Sequence, residues 1–155
     1  MTLNSAEGIL DFAIEKEQDA VDFYTELAGK VAAQHMRDLL RSFAKEEQRH
    51  KAKLQEVKKG GIHLFVPKKV MDLKIADYLP DADVAGAAGA AEIDYQDALI
   101  IAMKREKSAF KLYKDLSTTT EDADLKELFL SLAQEEAKHK LFFEIEYDEH
   151  ILTDN

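Results

Sequence analysis

The chain has 155 residues, with 21 Lys and Arg against 31 Asp and Glu, a formal net charge of −10 and no Cys. That length suits one domain with a sizeable core. The missing Cys excludes a disulfide scaffold, a thiolate zinc or iron–sulfur site, a rubredoxin-type iron and a thiol nucleophile. The acidic balance leaves no basic surplus to displace counterions from nucleic-acid phosphates. No apolar run nears the roughly 20 residues that span a bilayer, and the start MTLNSAEGILDF has no basic segment with a small-residue cleavage site. A cytoplasmic protein without membrane or nucleic-acid partners is expected.

Pro occurs only at Pro67 and Pro80, and Gly concentrates at 60–61 and 86–89. The apolar spacing predicts a first helix over about 5–28, with Ser5 as N-cap and Gly29 as its stop. A second is predicted over 35–59, ended by Gly60-Gly61. Residues 60–93 form a long crossover, with a helical turn expected around Asp72–Tyr78. A third helix is predicted over 94–116, starting at Asp94, and the run Ser117-Thr118-Thr119-Thr120 reads as a turn. A fourth covers 122–149. Short turns make helices one and two, and three and four, antiparallel hairpins. Two such hairpins joined by one long crossover give an all-α, ferritin-like four-helix bundle.

Sliding the sequence by 89 residues superposes 13–54 on 102–143 without a gap. Identities fall at 12 of these 42 positions, including Glu17/Glu106, Tyr24/Tyr113, Glu46/Glu135, Glu47/Glu136 and His50/His139. Generic helical similarity would repeat Leu and Ala; it has no reason to repeat Glu, Tyr and His. The chain reads as two copies of one hairpin, related by a pseudo-two-fold axis.

The repeated polar residues fall on the apolar stripes. Glu17 and Tyr24 share theirs with Leu10, Ala13, Ala20 and Leu27, and Glu106 and Tyr113 share theirs with Leu99, Ala102, Ala109 and Leu116. Glu47 and His50 continue the stripe of Met36, Leu40 and Phe43; Glu136 and His139 continue that of Leu125, Leu128 and Leu132. Glu17 and Glu47 are equidistant from residue 32, since (17+47)/2 = 32, and Glu106 and Glu136 from residue 121, since (106+136)/2 = 121. Both midpoints lie in or beside predicted turns, so all four carboxylates converge at one level.

Four carboxylates in an apolar interior cost several kcal/mol each to desolvate. Either they take up protons, or cations neutralise them. Two divalent ions balance four Glu. In each Glu-x-x-His pair three residues give about 300° of rotation and roughly 4.5 Å of rise, so both side chains can hold one ion. Glu47 and Glu136 are the natural bridges, Glu17 and Glu106 the terminal ligands, with one His per metal. Oxygen and imidazole donors without thiolate favour iron or manganese. Tyr24 and Tyr113, two turns beyond their Glu, are placed to hydrogen-bond ligand carboxylates.

Other residues read as ordinary. Glu46 and Glu135 rotate about 100° off the stripe and are expected to be solvated or to support the ligands from outside. His35, His63 and His150 have no Glu three places before them and are expected at the surface. Phe43, Phe129, Phe142 and Phe143 are core.

The pattern Glu-x6-Tyr, Glu-x-x-His, repeated in AIEKEQDAVDFY, AKEEQRHKAKL, AMKREKSAFKLY and AQEEAKHKLFF, resembles rubrerythrin within the ferritin-like superfamily. The resemblance covers about 5–147 and is nearest to relatives that lack a rubredoxin tail. It implies two iron ions per chain, with manganese as the alternative, and no haem, iron–sulfur cluster or rubredoxin iron. Their ligands would be Glu17, Glu47, His50, Glu106, Glu136 and His139. It implies an oxidoreductase that reacts with peroxide or dioxygen, an external electron donor such as a rubredoxin-like protein, and a homodimer. Ala109 stands where relatives carry an additional carboxylate, which bears on peroxidase turnover. The alternatives are iron handling of the ferroxidase type and a bundle whose metal is structural.

Overall fold

The computed structural model describes residues 2–3, 5–61, 73–74 and 95–149. Four helices dominate them: α1 (Ala6–Lys30), α2 (Gln34–Glu56), α3 (Tyr95–Ser117) and α4 (Ala123–Tyr147). They form a four-helix bundle of two hairpins, α1 with α2 and α3 with α4. Two short strands, β1 (Thr2–Leu3) and β2 (Leu73–Lys74), pair antiparallel with Thr2 opposite Lys74 and Leu3 opposite Leu73.

Local chemistry sets the helix ends. Ser5 caps α1, its Oγ accepting from the Gly8 amide at 3.0 Å. A Cβ at position 8 would sit 3.0 Å from that Oγ, so glycine leaves the cap room. Asp122 caps α4 by accepting from the Leu125 amide at 2.9 Å. At the end of α3, the hydroxyls of Ser117, Thr118 and Thr119 donate to the carbonyls of Lys114, Asp115 and Leu116 at 2.6–2.7 Å. The Ser-Thr run is thus a turn because its side chains satisfy carbonyls left over by the helix.

Three expectations need correction. Gly29 does not stop α1, which continues to Lys30 with Val31 as its C-cap. An exposed helical glycine costs only about 1 kcal/mol, and burial of Val31 carries the chain onward. Helix α2 ends at Glu56, three residues early, and passes into a π-helical turn over Val57–Gly61. The helical turn expected around Asp72–Tyr78 lies outside the described residues except at Leu73 and Lys74, which are extended. His63 and His150 also lie outside them, while His35 is exposed.

The core divides into two apolar layers. One gathers Ile9, Leu10, Leu54, Leu116, Phe129 and Leu132; the other Leu27, Met36, Leu40, Phe43, Leu99 and Phe143. The first layer joins the start of α1 to the end of α3, so those two helices run antiparallel, as a pseudo-two-fold axis across the bundle requires. The second layer is closed at its edge by Tyr95 Oη donating to Glu146 at 3.0 Å. Between the layers lies a polar slab.

Candidate metal centre

Six side chains fill that slab. Glu17, Glu47, His50, Glu106, Glu136 and His139 expose between 1% and 4% of their surface. Each helix carries its share because the 3–4 apolar spacing of its stripe runs through these positions.

The histidines organise the cluster. His50 Nδ1 lies 2.9 Å from Glu136, 3.6 Å from Glu17 and 3.7 Å from Glu47. His139 Nδ1 lies 3.3 Å from Glu47 and 3.6 Å from Glu106. Glu47 turns one carboxylate oxygen to each ring, Oε2 to His50 and Oε1 to His139. Donor atoms of Glu17, Glu47, His50 and Glu136 lie within 4.8 Å of one another, and so do those of Glu47, Glu106, Glu136 and His139. Glu47 and Glu136 belong to both groups.

These distances are short, yet the atoms are not aimed at each other. Glu17 Oε2, Glu47 Oε1, His50 Nδ1, Glu106 Oε2, Glu136 Oε1 and His139 Nδ1 are all buried without a hydrogen-bond partner among the described residues. Buried polar atoms are ordinarily paired, and leaving one unpaired costs about 1–3 kcal/mol. Six at one level, converging instead of pairing, is the arrangement a cation needs. Donors about 2.0–2.2 Å from an ion can be separated by at most roughly 4.4 Å. The donor atoms of each group lie within 4.8 Å of one another, slightly beyond that limit, so small side-chain shifts would let the set hold metal.

The charges point the same way. Burial, then the charge of Glu47, pushes the Glu17 carboxyl well above its usual range. Burial, then Glu106 and Glu47, does the same to Glu136. Burial also opposes ionisation of Glu47, but the closeness of Glu17, His139 and His50 overcomes it and holds Glu47 low. Burial disfavours the charged imidazoles, yet the adjacent carboxylates raise His50 to about 11 and His139 to about 10. With protein groups alone, the cluster holds protons where cations would replace them.

A second set of residues holds the first. The Tyr24 phenol donates to Glu106 Oε1 and the Tyr113 phenol to Glu17 Oε1; Glu17 turns its other oxygen, Oε2, to His50, whereas the Glu106 oxygen nearest His139 is that same Oε1. Both bonds cross between hairpins; neither tyrosine serves the Glu on its own helix. Behind the rings, His50 Nε2 meets Glu135 and His139 Nε2 meets Glu46, again across hairpins. A carboxylate on one ring nitrogen leaves the other to face the centre. The sequence reading set Glu46 and Glu135 off the stripe; their repetition alongside the Glu-x-x-His pairs was the signal of this supporting place.

The reciprocity is that of a pseudo-two-fold axis, but the surroundings are not symmetric. Phe43 stacks on His139 at 4.0 Å between ring centres, with Tyr24, Phe142 and Phe143 around it. The positions related by the offset of 89 to Phe23, Phe43 and Phe143 are Leu112, Leu132 and Leu54. Phe43 thus gives His139 a stacked aromatic neighbour where the repeat carries only Leu132.

The rubrerythrin family model matches residues 8–70 and 97–153. Among solved structures, a Thermotoga maritima protein described as a ferritin-like diiron-carboxylate protein superposes with a TM-score of 0.77 at 18% identity, covering 97% of this chain and 98% of that one. A hypothetical protein of Pyrococcus furiosus gives 0.69 at 26% identity over 93% and 89%. CopM in its silver-bound form gives 0.69 at 15% identity over 96% and 99%. No curated protein matches the chain. Among the described residues, no helix is long and apolar enough to cross a membrane. With its paired carboxylate–histidine motifs set in a ferritin-like bundle, the chain belongs to the rubrerythrin family.

Proposed function

We propose that the centre binds two iron ions and reduces hydrogen peroxide or dioxygen with electrons from an external donor. Glu17 and His50 would hold one ion and Glu106 and His139 the other, with Glu47 and Glu136 available to both. The observation that carries this reading is the set of six buried, unpartnered donor atoms in two overlapping groups. When bound, the iron pair supplies the electrons for reduction. The protein's part is to hold carboxylates and imidazoles at fixed positions, through Tyr24, Tyr113, Glu46 and Glu135, and to limit access. Sulfur is absent from the donor set, which favours iron or manganese over the soft metals suited to thiolate or thioether. The silver bound by CopM is therefore a poor guide to the metal here. These 155 residues contain no Cys to hold a rubredoxin-type iron, so the electrons are to reach the bundle from outside it.

One residue favours a second reading, iron handling with slow turnover. Ala109 lines the cavity beside Glu106, where the family resemblance implies an additional carboxylate, and would offer a bound ion no ligand.

Anaerobic loading with ferrous iron, elemental analysis and reoxidation by peroxide separate the two. Two irons per chain and oxidation by peroxide much faster than by air are expected. Slow autoxidation with retained ferric product selects iron handling, and failure to bind metal overturns both.

A further inference from the structure

The repeat makes the two histidines of the centre equivalent in sequence, yet their rings are held differently. His50 on α2 and His139 on α4 each meet a carboxylate of the opposite hairpin at Nε2, Glu135 and Glu46 respectively. That contact settles which nitrogen faces the centre. It does little to stop the ring turning about its Cβ–Cγ bond, a rotation with broad minima for histidine. The aim of Nδ1 therefore depends on a second restraint.

His139 has one. The Phe43 ring lies over it with 26° between the planes and 4.0 Å between the centres. Phe43 is itself gripped, because Tyr24, Phe142 and Phe143 pack edge-on against it with ring centres 5.6–5.8 Å away. Tyr24 also sets an edge against His139, at 6.2 Å. The repeat-related position of Phe43 is Leu132, and that of Phe142 is Lys53. Among the described residues no ring stacks on His50. Tyrosine, glutamate and histidine repeat across the two hairpins, and the stacked ring does not.

With two ions held as proposed above, we infer that Phe43 is a positioning residue that makes the two metal positions unequal, so that the His139 position fills before the His50 position. A ring already clamped in plane gives up little rotational freedom when an ion arrives, whereas His50 has still to be ordered. A stacked ring pair corresponds to roughly 2–12-fold in a binding constant.

Zinc titrated into the full metal-free chain, with isotope-labelled histidine rings followed by NMR, reads the order of filling. The first equivalent should move the His139 ring signals and the second those of His50. Phe43→Leu, which copies the other hairpin, should bring the two affinities together by that same factor of about 2–12. Phe43→Tyr keeps the ring and should keep the order, which a general packing defect would not predict. His50 responding first, both rings responding together in the parent chain, or an unchanged ratio in Phe43→Leu overturns the inference. Each of those results still shows two bound zinc ions and leaves the metal reading standing, whereas a chain that takes up no zinc overturns both. Should Phe43→Leu fail to fold, the order in the parent chain and in Phe43→Tyr decides.

Discussion

Tyr24 on the first hairpin donates its phenol hydrogen to Glu106 on the second, and both groups are almost completely buried. The bond ties the hairpins together at the level of the centre and holds the Glu106 carboxylate in place. Tyr24→Phe removes the donor while keeping the ring, leaving Glu106 Oε1 unpaired in a dry interior. A hydrogen bond to a charged group is worth about 1.5–3 kcal/mol. The metal-free Phe variant should lose about that much stability in urea unfolding with its helical circular dichroism intact. Tyr113→Phe should act in the same direction through Glu17, by less, because burial favours the neutral form of that carboxyl.

The protonation pattern makes the metal-free chain sensitive to alkali. His50 and His139, raised to about 11 and about 10, keep their protons in the folded chain. Unfolded histidine releases its proton near 6.5. Their contribution to stability is therefore complete below about pH 6.5 and lost as pH rises toward 10–11. The raised carboxyls of Glu17 and Glu136 act in the same direction from about pH 4.3 upward. Glu47, held low, acts oppositely and matters only in acid. Each histidine that keeps its proton contributes a slope of about 1.4 kcal/mol per pH unit. The urea midpoint of the metal-free chain should fall between pH 7 and 9. With saturating metal the trend should reverse, because metal displaces these protons. Proton release on loading, read with an indicator dye, checks the same linkage.

The fold and the level of the centre were legible because both rest on periodicity. Apolar spacing fixes which side of a helix faces inward, and equal distance from a turn fixes which residues of a hairpin lie abreast. The 89-residue repeat singled out Glu17, Glu47, Glu106 and Glu136, and those two rules set them facing inward at one level. Partnership between hairpins was not legible. A helical wheel gives the direction of Tyr24 but not the axial offset of the other hairpin, which brings Glu106 under its phenol. Glu46 and Glu135 point about 100° away from the stripe, and only their reach around the helix edge brings them to the opposite histidine. The asymmetric aromatic wall around His139 lay in plain view as Phe43 against Leu132, without a sign of what it would pack upon.

Glu47 is the residue whose loss should be felt by both metal positions, since its two oxygens face different histidines. Glu47→Ala should reduce bound metal from two ions per chain to one or none. Helical content should persist, because the apolar layers on either side of the slab are untouched. Glu17→Ala should affect one position only. Elemental analysis after gel filtration measures both, and two retained metals per chain in Glu47→Ala would remove its assignment as the shared ligand.

The crossed pairs His50–Glu135 and His139–Glu46 separate support from coordination. Both glutamates have partly exposed side chains, 42% for Glu135 and 38% for Glu46, so removing their charge leaves the core intact. What it removes is the anion that orients each ring and raises its basicity toward the centre. Loss of such a partner costs about 10–100-fold in metal affinity. Glu135→Gln should weaken binding at the His50 position and Glu46→Gln at the His139 position, each with two ions still bound at saturation. Chelator competition measures the affinities. Glu15→Gln, an exposed change on α1, is the control expected to leave them unaltered. Equal affinities in all three variants would mean that the histidines are positioned by packing alone.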